Sequence, residues 1–203
     1  MDKMKNGAVL RNGTQRTAKE VFEKYAIVIA FLALLLVVSI LCSSFLTPSN
    51  LILVLNQTSI NGILAVGITY VLITAGIDIS IGSVVGLSGV ISAMVVKAGA
   101  PLPVGFLCGI LAGTLVGVII GILVTKGKLA PYIVTLGFLT IIRGAALLIA
   151  GGRPISSLGD AYGWIGNHNV FGVIPCPVII FLIVVVIGHI ILAHLQIGRY
   201  IYA

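Results

Sequence analysis

The stretch Ile73-Thr74-Ala75-Gly76-Ile77-Asp78-Ile79-Ser80-Ile81-Gly82-Ser83 joins two long hydrophobic runs, and its Asp78 is the sole charge between Lys24 and Lys97. Glycines and hydroxyls interrupt the apolar sequence there, which predicts a helix break near Gly76–Gly82 at or near membrane depth. Backbone that leaves the helix inside a bilayer survives only where protein or a water cavity shelters it. An ionisable side chain at that depth is expected to face a partner or a polar path. Asp78 therefore carries two compatible readings. Asp78 or Ser80 caps the helix that follows, where the positive helix end favours a carboxylate, or Asp78 takes part in gating or interface contacts.

On either side of the break the composition puts the chain in lipid. Hydrophobic residues make up 59%, charged residues 8%, and the mean hydropathy is +1.23, a balance that a soluble surface does not enclose. The expected class is an all-α polytopic membrane protein with about six transmembrane helices: Ala26–Leu46, Leu51–Ala75, Ile79–Val96, Leu102–Val124, Pro131–Ala150 and Ile174–Leu195. Each is bounded by charge, proline or a glycine-rich break. The third is the shortest, and a re-entrant segment is its alternative. A cleaved signal peptide at the first span is excluded by its length and by the absence of a small-x-small site. A lipoprotein site ending at Cys42 is excluded because Leu41 stands where a small residue is needed. Cys42, Cys108 and Cys176 lie singly in apolar surroundings and read as core filler.

Residues 1–24 read as a cytoplasmic basic tail and 25–203 as one transmembrane domain. The tail holds six of the twelve basic residues: Lys3, Lys5, Arg11, Arg16, Lys19 and Lys24. By the positive-inside rule the N-terminus faces the cytoplasm. Six spans also put Lys126, Lys128 and Arg199 inside, Lys97 and Arg153 outside, and Arg143 within the membrane. The net charge of +7 fits a tail beside anionic membrane lipid and calls for no nucleic acid.

Gly105, Gly109, Gly113, Gly117 and Gly121 recur at every fourth position and mark a helix that neighbours approach closely. The stripe drifts around the helix by about 40° per step. The second span carries Asn50, Asn56, Gln57, Thr58, Ser59 and Asn61, whose amides and hydroxyls either bond neighbouring helices or line a path for a hydroxylated solute. With Asp78, Ser80 and Arg143, the residues Asn56, Gln57 and Asn61 are the translocation or gating candidates. Arg143 lies too far from Pro131 to snorkel easily to that end, and an interhelical partner and the polar loop Gly151–Val173 are both open to it. In that loop Tyr162 and Trp164 read as interfacial anchors, and the loop itself as the place where a partner docks. His189 and His194, five residues apart, are not aligned for a metal.

No nucleotide or catalytic site is expected. Between Gly121 and Gly127 five residues stand where a phosphate loop needs four, and Leu129 follows Lys128 where Ser or Thr is needed. Three of the five acidic residues, Asp2, Glu20 and Glu23, lie in or beside the tail, leaving no paired carboxylates or nucleophile–base arrangement. Neither cofactor nor metal is expected, and any uphill transport draws its energy from elsewhere.

The run Asn56-Gln57-Thr58-Ser59-Ile60-Asn61, the Gly76-Ile77-Asp78-Ile79-Ser80-Ile81-Gly82 stretch, Lys126-Gly127-Lys128, Thr135-Leu136-Gly137, Arg143-Gly144, Gly151-Gly152-Arg153-Pro154-Ile155 and Gly198-Arg199-Tyr200 stand in one order. In that order the sequence resembles the permease subunits of bacterial ATP-binding-cassette importers for ribose and related simple sugars, from about Phe22 onward. The resemblance implies a multi-pass protein of the bacterial plasma membrane, working as a homodimer or paired permease. It further implies a cytoplasmic ATPase subunit as motor and an extracytoplasmic solute-binding protein that delivers the sugar. Such permeases continue past the Gly-Arg-Tyr element into a coupling loop and further helices. The chain is thus expected to correspond to the front part of one, with a truncated, non-transporting membrane fragment as the alternative.

Overall fold

The computed structural model describes residues 23–170 and 172–202, so the basic tail up to residue 22 lies outside the described residues. The chain divides into two compact units, Met1–Leu53 and Val54–Ala203. In the first, α1 (Glu23–Leu41) is apolar from Tyr25 onward apart from Ser39, and none of its residues is buried. The expected span ran on to Leu46. The helix instead ends at Leu41 and hydrogen-bonded turns occupy the residues that follow, where Phe45 N–H donates to the Cys42 carbonyl at 3.0 Å. Hydroxyl-bearing residues compete for backbone bonds there: Thr47 Oγ1 donates to the Ser44 carbonyl at 2.7 Å, and Asn50 Nδ2 to the Phe45 carbonyl at 2.8 Å.

The remaining long helices are α2 (Pro48–Ile73), α3 (Ile81–Lys97), α4 (Leu102–Thr125), α5 (Pro131–Ile149) and α7 (Cys176–His194). Proline opens α2 and α5 and is the second residue of α4 and α7, positions where its fixed φ suits a helix and its missing N–H costs nothing. The far ends of α2, α3 and α5 share one termination. Gly76 N–H donates to the Val71 carbonyl at 2.9 Å and Ala75 N–H to Leu72 at 3.0 Å, with Ala75 in the left-handed region at φ 56. The ends of α3 and α5 repeat this six-to-one closure, with Gly99 and Gly151 at positive φ. Carbonyls that would otherwise end bare in lipid thus find donors.

Six apolar helices stand where six spans are expected. Five are long enough to cross a bilayer, and α3, with 17 residues, falls below that length. It rises about 25 Å against roughly 30 Å of hydrocarbon. Beyond the expected elements, the polar stretch after α5 holds a short helix, α6 (Asp160–Asn167), and a two-residue hairpin, β1 (Asn169–Val170) with β2 (Ile174–Pro175), registered Asn169 to Pro175. A further short helix, α8 (Gln196–Tyr202), follows α7.

The second unit is organised around α3, which packs against both α4 and α5. On α4, a side chain at Gly105 would collide with Val96, one at Gly109 would meet the Ser88 carbonyl at 2.8 Å, and one at Gly113 would meet Ser88 Oγ at 2.8 Å. Gly117 and Gly121 have nothing within 4 Å; the drift of the stripe carries them off the contact. The part of α2 after Leu53 touches α7 through long side chains rather than by close backbone approach. A Cβ on Gly62 would sit 2.5 Å from the Phe181 ring, and Tyr70 Oη donates to the Gly188 carbonyl at 2.8 Å. Among the described residues the interior is small: Leu87, Ala93, Ile120, Val134 and Ile142 form the buried apolar set, beside buried Ser59, Ser80, Ser92 and Thr135.

Candidate functional site

The break between α2 and α3 is held by polar contacts at both levels. Asp78 Oδ1 accepts from the Ser80 N–H at 2.8 Å and from Ser80 Oγ at 2.6 Å, and Ser80 is fully buried. The carboxylate thus closes a turn over its own neighbour. The cap expected of Asp78 or Ser80 is not formed, because Ser80 has helical dihedrals and makes no side-chain bond to the first turn of α3. The break is pinned from outside by α5. Thr135 Oγ1, 1% exposed, lies 3.2 Å from the Ile77 carbonyl and 2.9 Å from that of Pro131. One turn into α3, Ser83 Oγ donates to the Leu139 carbonyl at 2.9 Å.

The first of these contacts reaches the non-helical backbone and the second joins the two helices beside it, and the first yields a prediction. Thr135→Val keeps the shape but leaves the Ile77 carbonyl without its partner, so the protein is expected to lose about 1–3 kcal/mol of stability. Thermal unfolding in detergent measures this, with Thr135→Ser as the variant that retains the hydroxyl.

Beside the break, α3, α5 and the segment after α5 border an open cavity of about 770 Å³, within the range of about 300–1,000 Å³ usual for ligand sites. One wall is glycine: Gly82, Gly86 and Gly89 line it, and a Cβ on any of them would touch nothing within 4 Å. On α4 the absent side chains admit a helix, whereas on α3 they keep a space open. The opposite wall carries Arg143, with Arg153, Pro154 and Ile155 from the following segment. No carboxylate lines the cavity, and among the described residues neither arginine forms an ion pair. Tyr162 of α6 covers one side, its ring 5.8 Å from that of Phe106.

The sequence candidates do not converge on one place. Arg143 lines the cavity with the residues that follow α5, while Asp78 and Ser80 pair with each other beneath it. Asn56 lies elsewhere: its Nδ2 donates to the Gly166 carbonyl of α6 at 3.2 Å, and its buried Oδ1 has no partner among the described residues. Gln57 and Asn61 are exposed. Gly86, Gly89, Arg153 and Tyr162 were not singled out as site residues, although the spacing of Gly82, Gly86 and Gly89 would have placed all three on one helical face. His189 and His194 approach to 6.1 Å between ring centroids, edge to face, closer than their spacing suggested. No group of three metal-ligating side chains occurs among the described residues.

Comparison with known proteins bears on this geometry. The chain is 40% identical over 184 residues to the ribose import permease protein of Bacillus subtilis (strain 168), a match covering 90% of the chain and 57% of the relative. It is 41% identical over 183 residues to that of Haemophilus influenzae, covering 86% and 55%. With the D-allose transport system permease protein of Escherichia coli (strain K12) identity is 33% over 160 residues, covering 78% and 49%. The chain thus spans about half the length of these curated relatives. No solved structure matches. The family model described as branched-chain amino acid transport system, permease component, matches residues 50–203, and the chain belongs to that family of multi-pass membrane permeases.

Proposed function

We propose that this chain forms part of the translocation path of an ATP-binding-cassette importer for ribose or a similar monosaccharide. The observation that carries the reading is the identity of 37–41% to ribose import permeases over most of the chain. The partners are a cytoplasmic ATPase subunit, an extracytoplasmic solute-binding protein and a second permease copy, within bacterial plasma-membrane lipid. The N-terminus faces the cytoplasm. In that orientation α5 runs outward, the break at Asp78 and Ser80 lies toward the cytoplasm, and the cavity beside Arg143 lies toward the outside.

The family description names amino acids, and the absence of a carboxylate from the cavity lining supports the sugar reading. A zwitterion brings an ammonium group that needs an acceptor, ideally a carboxylate, whereas this cavity offers two arginines and none. Sugar hydroxyls accept from guanidinium N–H groups without that demand. Discontinuous helices beside a cavity are also the usual construction of membrane transport sites. Asn56, Gln57 and Asn61 contribute polar surface along α2, with Asn56 steadying α6.

The test is ATP-driven uptake of labelled ribose into vesicles containing the protein with its ATPase and binding-protein partners. Uptake of ribose in preference to leucine is expected, and the reverse preference would sink the sugar reading. In the same assay Arg143→Ala is expected to lower uptake at least about tenfold, the equivalent of losing one charge-assisted hydrogen bond. Unchanged uptake would remove Arg143 from the path.

A further inference from the structure

Acid and base are kept apart around α6. Arg143 and Arg153 line the open cavity beside α3 and α5, while Asp160 lines a separate concavity on the other flank of α6, and no residue borders both. Asp160 stands two positions before Tyr162, which faces the larger cavity, and a two-residue step turns about 200° around a helix. The carboxylate therefore lies on the face turned away from the arginines of its own chain. All three charged side chains are exposed, and none of them has a hydrogen bond or ion pair among the described residues.

The other described carboxylates are engaged elsewhere. Asp78 accepts from Ser80 twice, and Glu23 has a contact of its own. Asp160 is thus the acid left to meet an arginine, and its own fold turns it from both. A second copy removes the obstacle, because a two-fold axis sets one patch against itself and brings the acid of each chain to the base of the other. The cavity leaves room for such an approach. It is open, and on its wall of Gly82, Gly86 and Gly89 an added Cβ would meet nothing within 4 Å. Small residues are what allow close approach between helices in lipid, and ionisable side chains within membrane helices pair as a rule.

We propose that α6 of one copy closes over the open cavity of a second, with Asp160 of each chain bonded to Arg153 of the other. The inference rests on the importer reading for the presence of a second copy and for the outward placement of α6. Arg153, beyond the end of α5, is the arginine at the rim, and Arg143 stays inside the chamber that the two copies close. The pairing is charge-assisted and suits the planar fork of a guanidinium. A carboxylate so held is already engaged and offers nothing to an ammonium group, so the cargo preference is kept.

The full chain, labelled with donor or acceptor fluorophores, is reconstituted into liposomes without ATPase or binding protein, and dimerisation is read from energy transfer across a range of protein-to-lipid ratios. Arg153→Asp and Asp160→Arg are each expected to weaken dimerisation at least about tenfold, since like charges then face each other at both ends of the two-fold. The double exchange is expected to restore it, with the circular dichroism unchanged throughout. Asp160→Asn, which removes the attraction without adding repulsion, is expected to weaken dimerisation less than Asp160→Arg and serves where a reversal fails to fold. A native chain that stays monomeric at every ratio, single variants that dimerise as the native chain does, or a folded double exchange no better than either single would overturn the pairing. Ribose uptake by a complete assembly whose double exchange is not rescued overturns the pairing and leaves the importer reading intact. Dimers that obey the exchange, in a chain whose complete assembly takes up no sugar, do the opposite.

Discussion

Valine at Gly109 is expected to push α3 from α4 and lower the melting temperature sharply. The added Cβ would lie 2.8 Å from the Ser88 carbonyl oxygen and 3.2 Å from Ser92 Cβ. The first of these is backbone inside a helix, so no rotamer change relieves the clash. The helix must move, and the loosened contact is one that membrane proteins cannot recover through hydrophobic burial, since lipid tails are as apolar as any side chain. Overpacking of this kind costs about 3 kcal/mol or more at the upper end, a large share of a marginal stability. The matched control is Gly117→Val on the same helix, where a Cβ meets nothing within 4 Å, and a change within about 0.5 kcal/mol is expected. Thermal melting of the two variants in detergent decides the matter. Equal tolerance would show that close backbone approach is not what joins α3 to α4.

Asp78→Ala is expected to lower ribose uptake at least about tenfold and to destabilise the break by about 1–3 kcal/mol, the cost of leaving buried donors without an acceptor. Both donors belong to buried Ser80 and both reach a single oxygen, Oδ1. An amide oxygen can take the same two bonds, so Asp78→Asn is expected to restore folding and most of the uptake. If asparagine restores folding but not uptake, the negative charge itself enters the transport cycle. The pair of variants thereby divides a structural turn from an electrostatic gate, two readings that the residue type alone left open.

Much of the helical order was legible because proline and glycine punctuate it. Leu102–Val124 and Pro131–Ala150 were expected, and α4 and α5 end within a residue of those bounds. The first span was read too far because Cys42 to Leu46 continue the hydropathy while their hydroxyl neighbours already favour turns. Helix α6 escaped notice since eight residues interrupted by Gly163 and Gly166 are too short a run to stand out within a polar loop. The site was less legible than the fold. Gly82, Gly86 and Gly89 repeat much as Gly105, Gly109 and Gly113 do, yet one set borders open space and the other a helix. Sequence records the missing side chains and not what approaches them. Thr135 illustrates the same limit: its partner at Ile77 lies 58 residues away, and nothing local distinguishes it from other membrane threonines that bond their own helix.

The hydrogen bond from Tyr70 to the Gly188 carbonyl joins residues 118 positions apart, and this sets an order of events during biosynthesis. At about 5–20 residues per second, the ribosome takes roughly 6–24 s to make Gly188 once Tyr70 is complete. Throughout that interval the phenol has no native acceptor, and a bare hydroxyl in hydrocarbon is costly. The α3–α4 hairpin needs no such wait, since its glycine contacts lie close in sequence. The contact of α3 with α4 can therefore form before this bond, which Tyr70 gains only once Gly188 has been made.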